Sequence, residues 1–281
     1  MDRRRKKQAP PSHATSWEDV ADWYRGLARK KGRDLVARVV NPEVLRLAGP
    51  LEGRSVLDVG CGPGALARVM AERGAAVTGV DASPKMIEIA IRDAKEARID
   101  PAPRFLVADA AEAEALPPGP FDLVTIVLAL QNIQDPRRAL GSVTRRMAPG
   151  GRLVLALNHP CFRNPGATHW GWDSETKVQF RRVDGYRTPR RVDIQVHPGS
   201  DPKLVRPSFH WPLESLFGWL RDAGLRVVDL AEPVSDRSSH GGRAAAENRA
   251  RAEIPMFLVL LAERERSRGG TRPRPTRRTR A

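Results

Sequence analysis

The chain has 281 residues, 41% hydrophobic and 29% charged, a balance that permits one large α/β domain, or two small ones, with a sizeable core. Its two cysteines, Cys61 and Cys161, offer neither a metal-ligand spacing nor a disulfide framework. The longest apolar run, LVTIVLAL at 123–130, is far short of the ~20 residues of a spanning helix, so no membrane span is expected.

The formal net charge of +15 lies mostly at the two ends. Residues 1–7 carry +4 and residues 264–281 carry +7, which leaves +4 for everything between. Nearly free of apolar residues, the tails 1–15 and 264–281 are expected to be disordered. A charge block attracts phosphate without reading sequence, so these tails permit a nucleic-acid partner without favouring one. The basic start MDRRRKKQAPP has no apolar stretch behind it. Export is therefore not expected, and a reducing cytoplasm fits the cysteine usage.

In chain order, SWEDVADWYRGLARK predicts a helix over 16–30, with Trp17, Val20, Ala21 and Tyr24 at helical spacing behind Ser16 as N-cap. A second helix is expected over 33–48, ending near Gly49 and Pro50. A strand (SVLDVG), a helix over 65–73 and a strand (AVTGVD) follow. Ser83 and Pro84 then open a helix over 84–97. Next come a strand (RFLVAD), a short helix, a strand (FDLVTIVLA), a helix over 136–147, and a PGG turn into a strand (RLVLALN). Strands separated by helical crossovers predict a mostly parallel sheet covered on both faces.

Between the first strand and its helix lies DVGCGPG, 58–64. Glycine at the carboxyl edge of such a sheet lets backbone approach a ligand that a Cβ would block. Gly60, Gly62 and Ala65 fit a loose dinucleotide fingerprint, so NAD enters as a competing ligand. The second strand ends in Asp81, where a carboxylate can accept both ribose hydroxyls of an adenosine, and the third ends in Asp109.

The ordered set D-V-G-C-G-P-G, V-D-A-S, A-D-A, F-D-L-V and P-G-G-R-L resembles the class I S-adenosylmethionine-dependent methyltransferases, in particular the small-molecule branch that includes ubiquinone and menaquinone biosynthesis enzymes. The resemblance covers about 51–158. It implies a Rossmann-like seven-stranded sheet whose last strand, at 255–263, runs antiparallel to the others, with S-adenosylmethionine as cofactor. It also implies that Gly60, Cys61 and Gly62 pack against the methionine moiety, that Asp81 holds the ribose and that Asp109 with Ala110 holds the adenine. Asp58 would orient the loop or the ligand's amino group. The expected organisation is a helical cap (16–50), a cofactor-binding core (51–158), a lid (159–211) and a closing helix and strands (212–263).

Methyl transfer from a sulfonium asks chiefly for an in-line acceptor ~3 to 3.5 Å from the methyl carbon. Candidate acceptor-side residues are Gln131 and Asn132 after the fourth strand and His159 after the fifth, the last as a general base. Cys161 follows the fifth strand, not the fourth as in cytosine-5 methyltransferases, so it is not read as a nucleophile. The segment 159–211 holds seven of the 15 aromatic residues, interleaved with Arg and Lys, and is read as a lid of short antiparallel strands over the acceptor. Trp170 in the lid, His210 at its end and Tyr24 in the cap are substrate-side candidates. Three readings stand: an enzyme for a small apolar or aromatic acceptor, an RNA or protein methyltransferase using the basic tails and the lid, and a non-catalytic S-adenosylmethionine-binding protein.

Overall fold

The computed structural model describes residues 17, 18, 21, 25, 26, 35–195, 203 and 205–266. Tyr24, most of the helix expected over 16–30, and the tails up to residue 16 and beyond residue 266 lie outside the described residues.

Seven strands form the central sheet: β1 (Ser55–Val59), β2 (Ala76–Asp81), β3 (Arg104–Val107), β4 (Phe121–Val127), β5 (Met147–Asn158), β10 (Leu225–Ala231) and β11 (Phe257–Arg264). Their order is β3-β2-β1-β4-β5-β11-β10. All run parallel except β11, which pairs antiparallel with both β5 and β10. Strands such as β1, β4 and β11 are near-continuous apolar runs because both faces are covered. On one face Leu57, Ile126, Leu153, Leu155 and Leu260 join a core completed by α4 (Pro136–Arg146) and α5 (Leu213–Asp222). On the other, Val56, Leu123, Val154 and Val259 pack beneath α1 (Asn41–Ala48), α2 (Ala65–Ala71) and α3 (Pro84–Ala97). Each fully buried aliphatic side chain here contributes about 1.5–3 kcal/mol.

Helix starts are chemically marked where the sequence predicts them. The Ser83 hydroxyl accepts from the Met86 N–H at 3.1 Å, and Asp135 accepts from the Arg138 N–H at 2.9 Å, each followed by a proline at the first helical position. A π-helical turn, Val36–Val40, leads into α1.

Two features differ from the sequence reading. The PGG segment is not a turn ahead of the fifth strand but a bulge inside it: pairing jumps from Phe121↔Met147 to Leu123↔Arg152. Gly150 takes φ +77°, and a Cβ on Gly151 would meet the carbonyl oxygens of Ala148 and Phe121 at 2.9 and 3.0 Å, so glycine lets the surplus residues fold out without breaking the strand. The connection after β10 also carries a helix that the sequence reading does not name, α6 (Ala244–Glu253). Arg243 ahead of it stacks over Trp172 at 4.6 Å.

Within the segment expected to be a lid, β6 (Thr168–Asp173) pairs antiparallel with β7 (Val178–Val183), and β8 (Arg190–Gln195) with β9 (Val205–His210). These two hairpins are separate from the main sheet.

Candidate active site

The loop after β1 is shaped by its glycines. Gly60 has φ +66°, and a Cβ built on it would stand 2.4 Å from the Cβ of Ala129, a contact no side chain survives. The N–H groups of Gly60 and Cys61 both donate to the Val80 carbonyl, at 2.8 and 3.0 Å, pinning the loop to β2. Gly62, at φ +52°, donates its N–H to Asp81 Oδ2 at 2.9 Å, while Asp81 Oδ1 accepts from the Ser83 N–H at 2.9 Å. Each oxygen of a carboxylate has a second lone pair, so Asp81 is held rigidly and can still accept two hydroxyls. Burial pushes its carboxyl above the usual range, against the pull of those two N–H groups.

Asp58 lies beneath the loop, 2% exposed, accepting from the Thr125 hydroxyl at 2.7 Å. Burial raises its pKa to about 6; the Thr125 hydrogen bond opposes the rise and the Asp81 charge adds to it.

A cleft of about 600 Å³ follows the carboxyl ends of β1 to β4, within the range of small-ligand sites. Gly60, Gly62, Asp81, Asp109 and Ala110 line one side of it. Asp109 Oδ1 accepts from the Ala111 N–H at 2.8 Å, which fixes the turn after β3. The other side is made by Leu128, Asn132 and Ile133 after β4 and by Arg191, Pro207 and Phe209 from β8 and β9. Leu128 sits at φ +53°, a left-handed conformation rare for leucine. Asn132 is held by its own amide: Nδ2 donates to the Leu128 carbonyl at 3.0 Å and Oδ1 accepts from Arg206 at 3.3 Å. The Arg206 guanidinium lies 3.9 Å from the centre of the Trp17 ring, which also faces the cleft.

A second, smaller recess of about 40 Å³ lies between β4, β5 and the β8–β9 hairpin. Its walls include Gln131, Leu157, Arg163, His210 and Trp219. Phe209 lines both cavities. His210 donates Nε2–H to the Tyr186 carbonyl at 2.7 Å, and burial lowers its pKa.

The structure thus brings Gly60, Gly62, Asp81, Asp109, Ala110 and Asn132 to one cleft and Gln131 and His210 to the recess beside it. Cys61, Trp170 and His159 are not among the residues lining either. The Cys61 thiol turns back against Gly79 and is driven well up by burial, with Asp58 and Asp81 adding. Trp170 is 39% exposed on β6 and stacks with Arg181 at 5.1 Å.

His159 has both ring nitrogens engaged: Nδ1 accepts from the Cys161 N–H at 3.2 Å, so Nε2 carries the proton and donates to Glu232 at 2.9 Å. Its side chain is 3% exposed, and burial lowers its pKa while the Glu232 carboxylate works against that shift. This geometry ties down the turn after β5 rather than presenting a base to the cleft. Met86, Leu128, Arg191 and Arg163 were missed by sequence reasoning; Leu128 and Arg163 flank predicted site residues, whereas Met86 and Arg191 carry no local signal.

S-adenosylmethionine, the cofactor implied by the resemblance, fits this donor set. Bare backbone at Gly60 and Gly62 admits close approach, Asp81 retains acceptor capacity for a diol, and Asp109 and Ala110 edge the far end of the cleft. The family model described as a methyltransferase domain matches residues 57–155. A ubiquinone biosynthesis O-methyltransferase of Pseudomonas paraeruginosa is 32% identical over 183 residues, 64% of this chain and 68% of that protein. Among solved structures, an S-adenosylmethionine-dependent methyltransferase from Mesorhizobium loti superposes with a TM-score of 0.61 at 24% identity, over 79% of this chain and 96% of the other. A magnesium protoporphyrin IX methyltransferase from Synechocystis, solved with S-adenosylhomocysteine bound, gives 0.56 at 20% identity, over 89% and 96%.

Proposed function

We propose that this chain, which belongs to the class I S-adenosylmethionine-dependent methyltransferases, methylates a hydroxyl of a small apolar or aromatic acceptor. The observation that carries the acceptor reading is the composition of the cleft's second side. Leu128, Ile133, Pro207 and Phe209 give it a largely apolar wall, with Asn132 held in place and Arg191 beside it as its polar groups. Such a surface suits a ring or an aliphatic body with one polar atom to orient. The name of the O-methyltransferase relative supports oxygen as the receiving atom.

When bound, the cofactor supplies a methyl group on a sulfonium, an electrophile with a neutral thioether as leaving group. In taking up the methyl group the acceptor hydroxyl gives up one proton. What the chain contributes is position. Asp81 and Asp109 would hold the adenosine end, the Gly60–Gly62 backbone would admit the methionine end, and Asn132 and Phe209 would bring the acceptor oxygen into line. The β8–β9 hairpin walls the acceptor side of the cleft with Arg191, Pro207 and Phe209. The acceptor proton leaves to solvent through the cleft mouth, where Gln134 and Asp135 are exposed.

The test is transfer of labelled methyl from S-adenosylmethionine into a deproteinised extract, split into RNA and solvent-extractable fractions. Label in the solvent fraction is expected and identifies the acceptor; label confined to RNase-sensitive material overturns the small-acceptor reading.

A further inference from the structure

The acceptor side of the site holds a cation with nothing to neutralise it. Arg163, in the turn that leaves β5, has its guanidinium over the Phe257 ring at 5.2 Å. Among the described residues its side chain has no hydrogen-bond or ion-pair partner. Burial first, then the Arg181 charge, bring the Arg163 pKa down to about 10, which still leaves it charged at neutral pH. Arg181 itself is committed, donating to the Phe162 carbonyl at 2.9 Å and to the Thr168 hydroxyl at 2.8 Å. Arg163 is half-buried, so its guanidinium stays charged and open to a ligand while the Phe257 ring steadies one face of it.

Arg163 lines the 40 Å³ recess, and Gln131 lines it too. Gln131 is 9% exposed, and its Nε2, which makes no hydrogen bond among the described residues, is the donor it can offer to an anion in the recess. The remaining walls are largely apolar, including Leu157, Phe209, Trp211 and Trp219. A water needs ~10–15 Å³ on this measure, so the recess takes a group of about three non-hydrogen atoms and not a ring. A planar cationic fork and an amide at the end of an apolar pocket match a carboxylate, which the fork can bind through both oxygens.

The geometry points to a subsite for a carboxylate carried by the acceptor, held by Arg163 and the Gln131 amide while the body of the acceptor lies in the cleft on the other side of Phe209. Two adjacent residues divide the work: Asn132 faces the cleft and Gln131 the recess. The cofactor's own carboxylate is not the occupant, since neither the glycine loop nor Asp81 lines the recess. This inference rests on the reading of the chain as a small-acceptor methyltransferase and narrows the substrate class to hydroxylated acids.

The full chain is assayed by S-adenosylhomocysteine release with matched pairs: hydroxybenzoates, hydroxycinnamates and dihydroxyphenylacetates, each against its carboxamide. The acids are expected to show a KM lower than their amides by about tenfold or more. In Arg163→Gln that preference disappears while S-adenosylhomocysteine affinity, measured by calorimetry, stays within about twofold. Gln131→Leu, which leaves the guanidinium in place, should reduce the preference and carries the test if the Arg163 variant does not fold. Transfer to acids and amides alike, or a preference that survives both substitutions, overturns the subsite and leaves the small-acceptor reading standing. No transfer to any member of the panel overturns both.

Discussion

Gly62 donates its backbone N–H to Asp81, so the glycine loop after β1 and the acidic end of β2 form one hydrogen-bonded unit rather than two neighbouring motifs. A change at either residue is felt at both.

Asp81→Ala removes the acceptor for Gly62 and Ser83 along with the group proposed to hold the ribose. Cofactor affinity should fall by more than about tenfold, or ~1.4 kcal/mol, while the far-ultraviolet circular dichroism is retained. Titration calorimetry with S-adenosylhomocysteine checks this; an unchanged affinity removes the ribose assignment.

Gly60→Ala places a methyl against Ala129 and asks alanine to hold φ +66°. The loop must shift, at about 1–3 kcal/mol of stability, and the shift should also weaken cofactor binding. Chemical denaturation and calorimetry on the same sample separate the two effects. A variant as stable as the parent that binds as tightly would show that the loop has slack the structure does not suggest.

Asp58 gives a pH signature. Its folded-state pKa, about 6, lies above its ordinary carboxylate value. The neutral acid is therefore favoured in the fold, and its contribution is fully present below pH ~4 and lost as pH rises through about 6. His159 and His210 act in the opposite sense: burial depresses both, so their stability is present above pH ~6.5 and lost as pH falls. The difference between wild type and Asp58→Asn isolates the carboxyl. Because an amide can still accept from the Thr125 hydroxyl, the variant should gain on wild type between pH 4 and 8 by about 2–3 kcal/mol. A parallel pair of stability curves would refute the assignment.

His159→Ala should lower stability by about 1–3 kcal/mol, because the Cys161 N–H and Glu232 both lose a partner. The acid limb of the stability curve should shrink with it, and cofactor affinity should hold. Thermal unfolding at pH 8 and pH 5.5 reads both effects. If instead turnover collapsed at unchanged stability and KM, His159 would be working at the reacting atoms.

The parallel half of the sheet was legible because each of its signals is local. Gly60 and Gly62 read as a ligand loop, Ser83–Pro84 as a helix start, and Asp81 and Asp109 as strand-end acids, and each is settled by residues within a few positions. The acceptor side was less so. His159 and Gln131 both follow apolar strands and look alike in sequence; what separates them is Glu232, 73 residues from His159, which occupies the imidazole while no such partner reaches Gln131. Trp170 was picked for its ring, yet strand alternation in a hairpin detached from the main sheet put that ring outside. Arg163 lies four residues beyond His159, but that it lines the recess beside Gln131 follows from the packing of distant segments, which has no spacing to detect.

Among the described residues β11 is the last strand in chain order, yet it lies inside the sheet, between β5 and β10. A chain made from its amino end therefore completes the cleft-forming strands while β10 has nowhere to dock. Until residues 257–264 have been made, β5 shows an unprotected apolar edge and the amphipathic α5 has only half its seat. The eight-residue β11 is thus the element that joins the parallel half of the sheet to β10 and α5.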